Sequence, residues 1–171
     1  NLLHKICIGT AQYNQKYRVT NSNILNKKEF FNILDLAVEN GINSFDTAQN
    51  YKSEERIGNF ISSNNLSKVA KVTSKFNLVS SKGSLEYNLK KSIEFSLKNL
   101  KCPIYSYLLH DPNYINLILN NFKLANSLKK NFPIKYFGFS IYKFKEYEKI
   151  VKLNKKRLAF QIPSNLVNNE F

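Results

Sequence analysis

Short apolar runs alternate with apolar residues at helical spacing along the whole chain. Ile6-Cys7-Ile8 predicts a buried strand that turns at Gly9-Thr10, and the polar stretch from Gln12 to Asn26 predicts a loop. Phe30, Leu34, Ala37 and Val38 then recur on one helix face, with Asn40-Gly41 as its C-cap. Asn43-Ser44-Phe45 predicts a second strand that runs straight into Asp46. Its helix is expected to start at Ser53 as N-cap, to bury Ile57, Phe60 and Ile61, and to carry Glu54 and Glu55 as capping charges at the positive end of the dipole. Gly58 on that helix predicts close packing against a neighbour.

The pattern repeats. Residues 70–75 predict a third strand, followed by a helix with Leu85, Leu89, Ile93, Leu97 and Leu100, capped by Ser84. Residues 104–109 predict a fourth strand ending at His110. Asp111-Pro112 then reads as a cap with proline in the first turn of a single helix carrying Ile115, Ile118, Phe122 and Ala125. A fifth strand at 136–140, a helix with Phe144, Tyr147 and Val151, and a sixth strand at 158–162 complete the series. Near-continuous apolar strands joined by helices imply a parallel sheet with right-handed crossovers. A dinucleotide-binding doubly wound sheet is the rival, but no GxGxxG follows the first strand. Unit length favours an α/β fold of the (β/α)8 TIM barrel type, which takes about 250 residues. The 171 residues supply six of its units. The expectation is one partial barrel domain over residues 1–171, truncated after strand six with two C-terminal units missing. The absence of methionine, even at position 1, adds the expectation that the sequence is a fragment or has been trimmed at its N-terminus. A chain ending at Phe171 is expected to bind cofactor weakly and to aggregate through open strand edges.

Composition changes this picture little. No run approaches the roughly 20 apolar residues that span a bilayer, and no signal peptide is evident. No membrane partner is expected. Cys7 and Cys102 lie far apart outside any CxxC motif, which predicts reduced packing residues, a cytoplasmic setting and no metal site. The net charge of +14 admits a polyanion partner. Lysine and asparagine are abundant throughout, however, and no basic run exceeds three residues. That is the mark of a compositional bias, and no nucleic-acid partner is expected.

Chemistry concentrates at strand ends. Asp46 follows the second strand, Tyr51 lies five positions on, Lys75 ends the third strand and His110 ends the fourth. In a parallel barrel these ends are neighbours at the mouth where active sites sit. Taken singly, Asp46 reads as a turn cap, Tyr51 as packing, Lys75 as surface and His110 as a turn histidine. Lys71 shares the strand parity of Lys75 and is its fallback. Together and in order, the four read as one catalytic constellation. Tyr13 suits either the core or a substrate pocket wall.

The segments Phe45-Asp46-Thr47-Ala48 with Tyr51, Val72-Thr73-Ser74-Lys75 and Leu108-Leu109-His110 resemble the aldo-keto reductase family, as does the opening Ile8-Gly9-Thr10-Ala11-Gln12. The resemblance runs over essentially the whole chain. It implies an NADPH-dependent oxidoreductase reducing an aldehyde, ketone or sugar carbonyl on a (β/α)8 barrel, with NADH not excluded. By that analogy Tyr51 is the general acid, Lys75 lowers its pKa, Asp46 fixes the ammonium, and His110 orients the carbonyl. Gly9, Thr10 and Asp46 would approach the cofactor, while Ser140 and Gln161 would grip its carboxamide. Ile141 stands where the family often has asparagine, which weakens one edge of that grip. Two other functions compete: a regulatory barrel that holds nicotinamide cofactor with little turnover, and a polyanion-binding protein. The substrate and the oligomeric state are not given by the sequence.

Overall fold

The computed structural model describes residues 2–13, 25–78, 83–153, 158–165 and 171. Six strands pair in the order of the chain: β1 Ile8–Gly9, β2 Ser44–Asp46, β3 Lys71–Phe76, β4 Ile104–Leu109, β5 Ile134–Ser140 and β6 Ala159–Gln161. Every pairing is parallel. The helices between them are α1 Lys27–Glu39, α2 Glu54–Ser63, α3 Leu85–Leu100, α4 Ile115–Asn120, α5 Phe122–Asn131 and α6 Phe144–Leu153. Sequential parallel strands with helices in each crossover form the wall of a (β/α)8 barrel, and six consecutive units of that wall are present.

One core lies between sheet and helices. Phe45, Val72, Tyr107 and Phe139 from the strands meet Leu34, Ile57, Ile61, Leu89 and Ile93 from the helices. Each such burial contributes about 1.5–3 kcal/mol before entropy is charged against it. α2 and α3 touch at Gly58, where an added Cβ would stand 1.9 Å from the Asn99 carbonyl oxygen. The close approach expected of Gly58 is therefore a property of the fold.

Local signals set most helix ends. Asn26 and Glu29 form a reciprocal capping box on α1, Ser84 accepts from the Tyr87 amide, and Gly41 turns at φ 81° after α1. Asp111 caps as expected, but it caps the 3-10 turn Pro112–Tyr114. The helix expected next is two. The Asn121 side chain donates to the Leu117 carbonyl at 2.9 Å and competes with the backbone ladder, and α4 gives way to α5 there. Ser53 precedes α2 without capping it, for its side chain is committed elsewhere. The first strand begins later than expected, because pairing with β2 starts only at Ile8 opposite Phe45. Cys102 is buried as a packing residue, whereas Cys7 is exposed.

Candidate active site

Strand register brings the chemistry together. Asp46 pairs with Thr73, and neighbours across a parallel ladder point to the same face. Lys75 lies two residues beyond Thr73 and shares that face. Its ammonium reaches back to the carboxylate: Nζ donates to both Asp46 oxygens at 2.8 Å and to the Thr47 carbonyl at 3.1 Å. The lysine is only 3% exposed, and three acceptors match the three protons that an ammonium carries. Lys71, at the other end of β3, is exposed and lies over the Tyr105 ring. Lys75, and not Lys71, is thus the lysine that meets Asp46.

Tyr51 rides on the 3-10 turn Gln49–Tyr51, which Lys52 closes in the left-handed region at φ 57°. Its ring centroid lies 5.1 Å from Lys75 Nζ and 5.8 Å from that of His110, which meets it edge-on at 87°. The His110 amide donates to the Phe76 carbonyl, so the ring leaves β4 beside the end of β3. Burial, and then the Lys75 charge, push the His110 pKa below its usual value, against the opposing pull of Asp46 and Asp111. The imidazole is consequently neutral near pH 7. Its Nδ1 is buried and meets no partner among the described residues.

Asp46, Tyr51 and Lys75 line a cavity of about 210 Å3 with Ser140, Ile141 and Gln161. Gln161 donates from Nε2 to Asp46 at 3.1 Å, and its buried Oε1 is an acceptor with no partner among the described residues. Ile141 is fully buried and offers no side-chain donor. Gly9 lines an adjoining space of about 380 Å3 with Asp46, Thr73 and Gln161, and no atom lies within 4 Å of where a Cβ would stand. Thr10 is placed differently. It is buried, and its hydroxyl donates to the Asp46 carbonyl at 2.9 Å and meets the Ser53 hydroxyl. It braces the strand end, and its side chain lines neither cavity. Tyr13 belongs to the core, 4.2 Å from Phe30 and beneath Arg56.

Three supporting features escape sequence reasoning. Ser53 joins the Thr10 and Thr47 hydroxyls at 2.9 and 3.0 Å. Gln49 enters a hydroxyl cluster beneath the Tyr51 turn. Glu54, expected as a capping charge at the start of α2, is 2% exposed and accepts from Ser74 at 2.7 Å. Burial pushes its carboxyl above the usual range, opposed by Ser74 and then by Ser96 and Asn99. The one signal in the sequence was several hydroxyl residues clustered at the first two strand ends. Among the described residues no His, Cys, Asp and Glu group could hold a metal, and no helix is long and apolar enough to cross a membrane.

Known proteins bear on this arrangement. The sequence model of the Aldo/keto reductase family matches residues 5–170, and the chain belongs to that family. No curated protein sequence matches it. Solved structures share the fold. A protein from Pseudomonas aeruginosa described as an aldo-keto reductase is 24% identical with a TM-score of 0.76, over 96% of this chain and 64% of its own. The thermostable aldo-keto reductase Tm1743, solved with the inhibitor epalrestat, is 21% identical with a TM-score of 0.75, over 95% and 59%. A Bombyx mori aldo-keto reductase, solved with NADP, is 21% identical with a TM-score of 0.70, over 93% and 54%. The chain therefore spans less than two thirds of the length of these relatives.

Proposed function

We propose that this chain carries the catalytic strand ends of an NADPH-dependent reductase that converts an aldehyde, ketone or sugar carbonyl to its alcohol. The observation that carries the reading is the Lys75 ammonium, held by Asp46 and set 5.1 Å from the Tyr51 ring on the wall of one cavity. A phenol has an ordinary pKa of about 10 and is a weak acid at neutral pH. A cation beside it favours phenolate and so eases proton release. Tyr51 is the general acid, giving its proton to the carbonyl oxygen. Lys75 supplies the field, and Asp46 keeps the ammonium from swinging away. Neutral His110 donates a hydrogen bond to the same oxygen, where negative charge develops in the transition state.

The cavity suits a nicotinamide. The buried Gln161 Oε1 is an acceptor for an amide N–H with no partner among the described residues, Ser140 lines the same cavity, and Gly9 leaves room for close approach from the adjoining one. When bound, the nicotinamide supplies hydride to the carbonyl carbon. The Bombyx mori relative solved with NADP favours the phosphorylated cofactor. NADPH consumption by the full-length protein, with Tyr51→Phe alongside, tests the reading. Carbonyl-dependent oxidation that the variant loses is the expected result. Turnover unchanged in Tyr51→Phe refutes the assigned acid, and tight cofactor binding without carbonyl reduction refutes the enzyme.

A further inference from the structure

Gln49 is the first residue of the 3-10 turn that ends at Tyr51, and its half-buried side chain bonds residues of α3 and β4. Its Nε2 lies 2.9 Å from the Ser92 hydroxyl, 2.9 Å from the Ser92 carbonyl, 2.9 Å from the Ser96 hydroxyl and 3.1 Å from the Tyr107 hydroxyl. Its Oε1 accepts from Ser92 at 3.2 Å. Tyr107 is fully buried, bonds Ser92 at 2.8 Å, and stacks on Phe76, the residue after Lys75, with centroids 4.8 Å apart. Ser92 and Ser96 sit one turn apart on α3. A single amide thus ties the Tyr51 turn to α3 and to β4, both of which flank the strand that carries Lys75.

We propose that Gln49 is a positioning residue: through Ser92, Ser96 and Tyr107 it sets the distance of the Tyr51 phenol from the Lys75 ammonium. The proposal rests on Tyr51 as the acid. A 3-10 turn of three residues has little rigidity of its own. Beyond Gln49 lies Asn50, which is exposed, and then Tyr51 itself. The anchor has to be a long side chain that both donates and accepts, since its partners are hydroxyls and a carbonyl. Methionine has the same length and neither property. Lys75 and His110 both face Tyr51, with Asp46 behind the lysine, and the anchor's hydrogen bonds go to Ser92, Ser96 and Tyr107. Its effect therefore passes through geometry alone.

The test compares Gln49→Met with the parent in the full-length protein, following kcat, KM for the carbonyl, the alkaline limb of the kcat–pH profile, NADPH affinity and the thermal melt. A phenol that drifts from its cation releases its proton less readily. The expected result is a kcat lower by on the order of 10- to 100-fold, an unchanged NADPH affinity, and an alkaline limb moved to higher pH. Tyr107→Phe, which removes only the far partner, is expected to move the same limb by less, and it carries the test should Gln49→Met fail to fold. A folded variant with unmoved kcat and limb overturns the proposal. So does a kcat loss that follows the folded fraction while the limb stays put, which is the mark of a structural residue. Turnover surviving in Tyr51→Phe would instead remove the reading on which the proposal stands.

Discussion

Lys75 Nζ lies 2.8 Å from each oxygen of the Asp46 carboxylate, and the lysine is almost entirely out of water. A buried charge with a good partner is tolerable, and one without is not. Asp46→Ala leaves the ammonium, among the described residues, with the Thr47 carbonyl as its one hydrogen-bond acceptor, and the expected loss of stability is about 3–5 kcal/mol. Lys75→Met removes the other half, leaving a carboxylate that is partly exposed and bonded by Gln161, and is expected to cost less. Urea titration of both variants checks the ranking; equal midpoints would contradict it.

Gly58 has no room for a side chain. With the Asn99 carbonyl oxygen 1.9 Å and the Leu100 carbonyl carbon 2.8 Å from a built Cβ, Gly58→Ala forces α2 away from α3. Overpacking of this kind costs about 1–3 kcal/mol. A thermal melt reads it directly, and an unchanged midpoint would mean that the helices separate freely.

Lys101 ends α3 in the left-handed region at φ 55°, where a Cβ is strained and glycine is not. Its side chain is tied only to Asn59 at the surface. Lys101→Gly is expected to stabilise the protein by about 1 kcal/mol, measured as a higher denaturation midpoint. A lower midpoint would assign more to the Asn59 contact than an exposed hydrogen bond ordinarily supplies.

Two titratable groups, the half-buried His110 and the buried Glu54, bend the pH dependence of stability in opposite senses. His110 is neutral in both folded and unfolded chains above its ordinary pKa of about 6.5, and adds no slope there. Below that value the unfolded chain takes up the proton first, so stability falls with pH until the depressed folded value is passed. Glu54 is raised, so the folded chain takes up its proton first. Stability therefore rises as pH falls through the folded value toward the ordinary carboxylate range. His110→Gln is expected to flatten the melt between pH 7 and 5. Glu54→Gln keeps an acceptor for Ser74 and is expected to be at least as stable as the parent at pH 8, with the parent gaining on it in acid. A parallel pair of curves in either case would remove that group from the pH dependence.

The alternation of apolar runs and helical stripes makes the parallel wall legible, because the central strands β3, β4 and β5 are buried on both faces over most of their length and the helices bury one stripe each. The four ordered residues Asp46, Tyr51, Lys75 and His110 were legible for a different reason: each sits at or just past a strand end, and strand ends are adjacent by topology. Cross-chain partnership was not legible. Glu54 looks like a dipole charge in sequence, since nothing local reveals that Ser74, twenty positions away, donates to its carboxylate. Ser53 looks like an N-cap for the same reason, although its partners Thr10 and Thr47 arrive on other segments. Asn121 does not read as a break because the apolar stripe continues across it, while its side-chain amide competes with the backbone ladder.

The Thr10–Ser53–Thr47 contacts carry one more implication. Each hydroxyl owns a single hydrogen. Thr10 spends its hydrogen on the Asp46 carbonyl, so Ser53 must donate to Thr10, and Thr47 must donate to Ser53. The three form a one-way wire of aligned O–H dipoles whose direction cannot reverse without breaking its last link, and successive bonds in such a wire polarise one another. Its terminus is the peptide carbonyl of the residue whose carboxylate grips the lysine, so alanine at Ser53 would sever the wire at its midpoint, leaving Thr10 its bond to that carbonyl and Thr47 in need of a new acceptor.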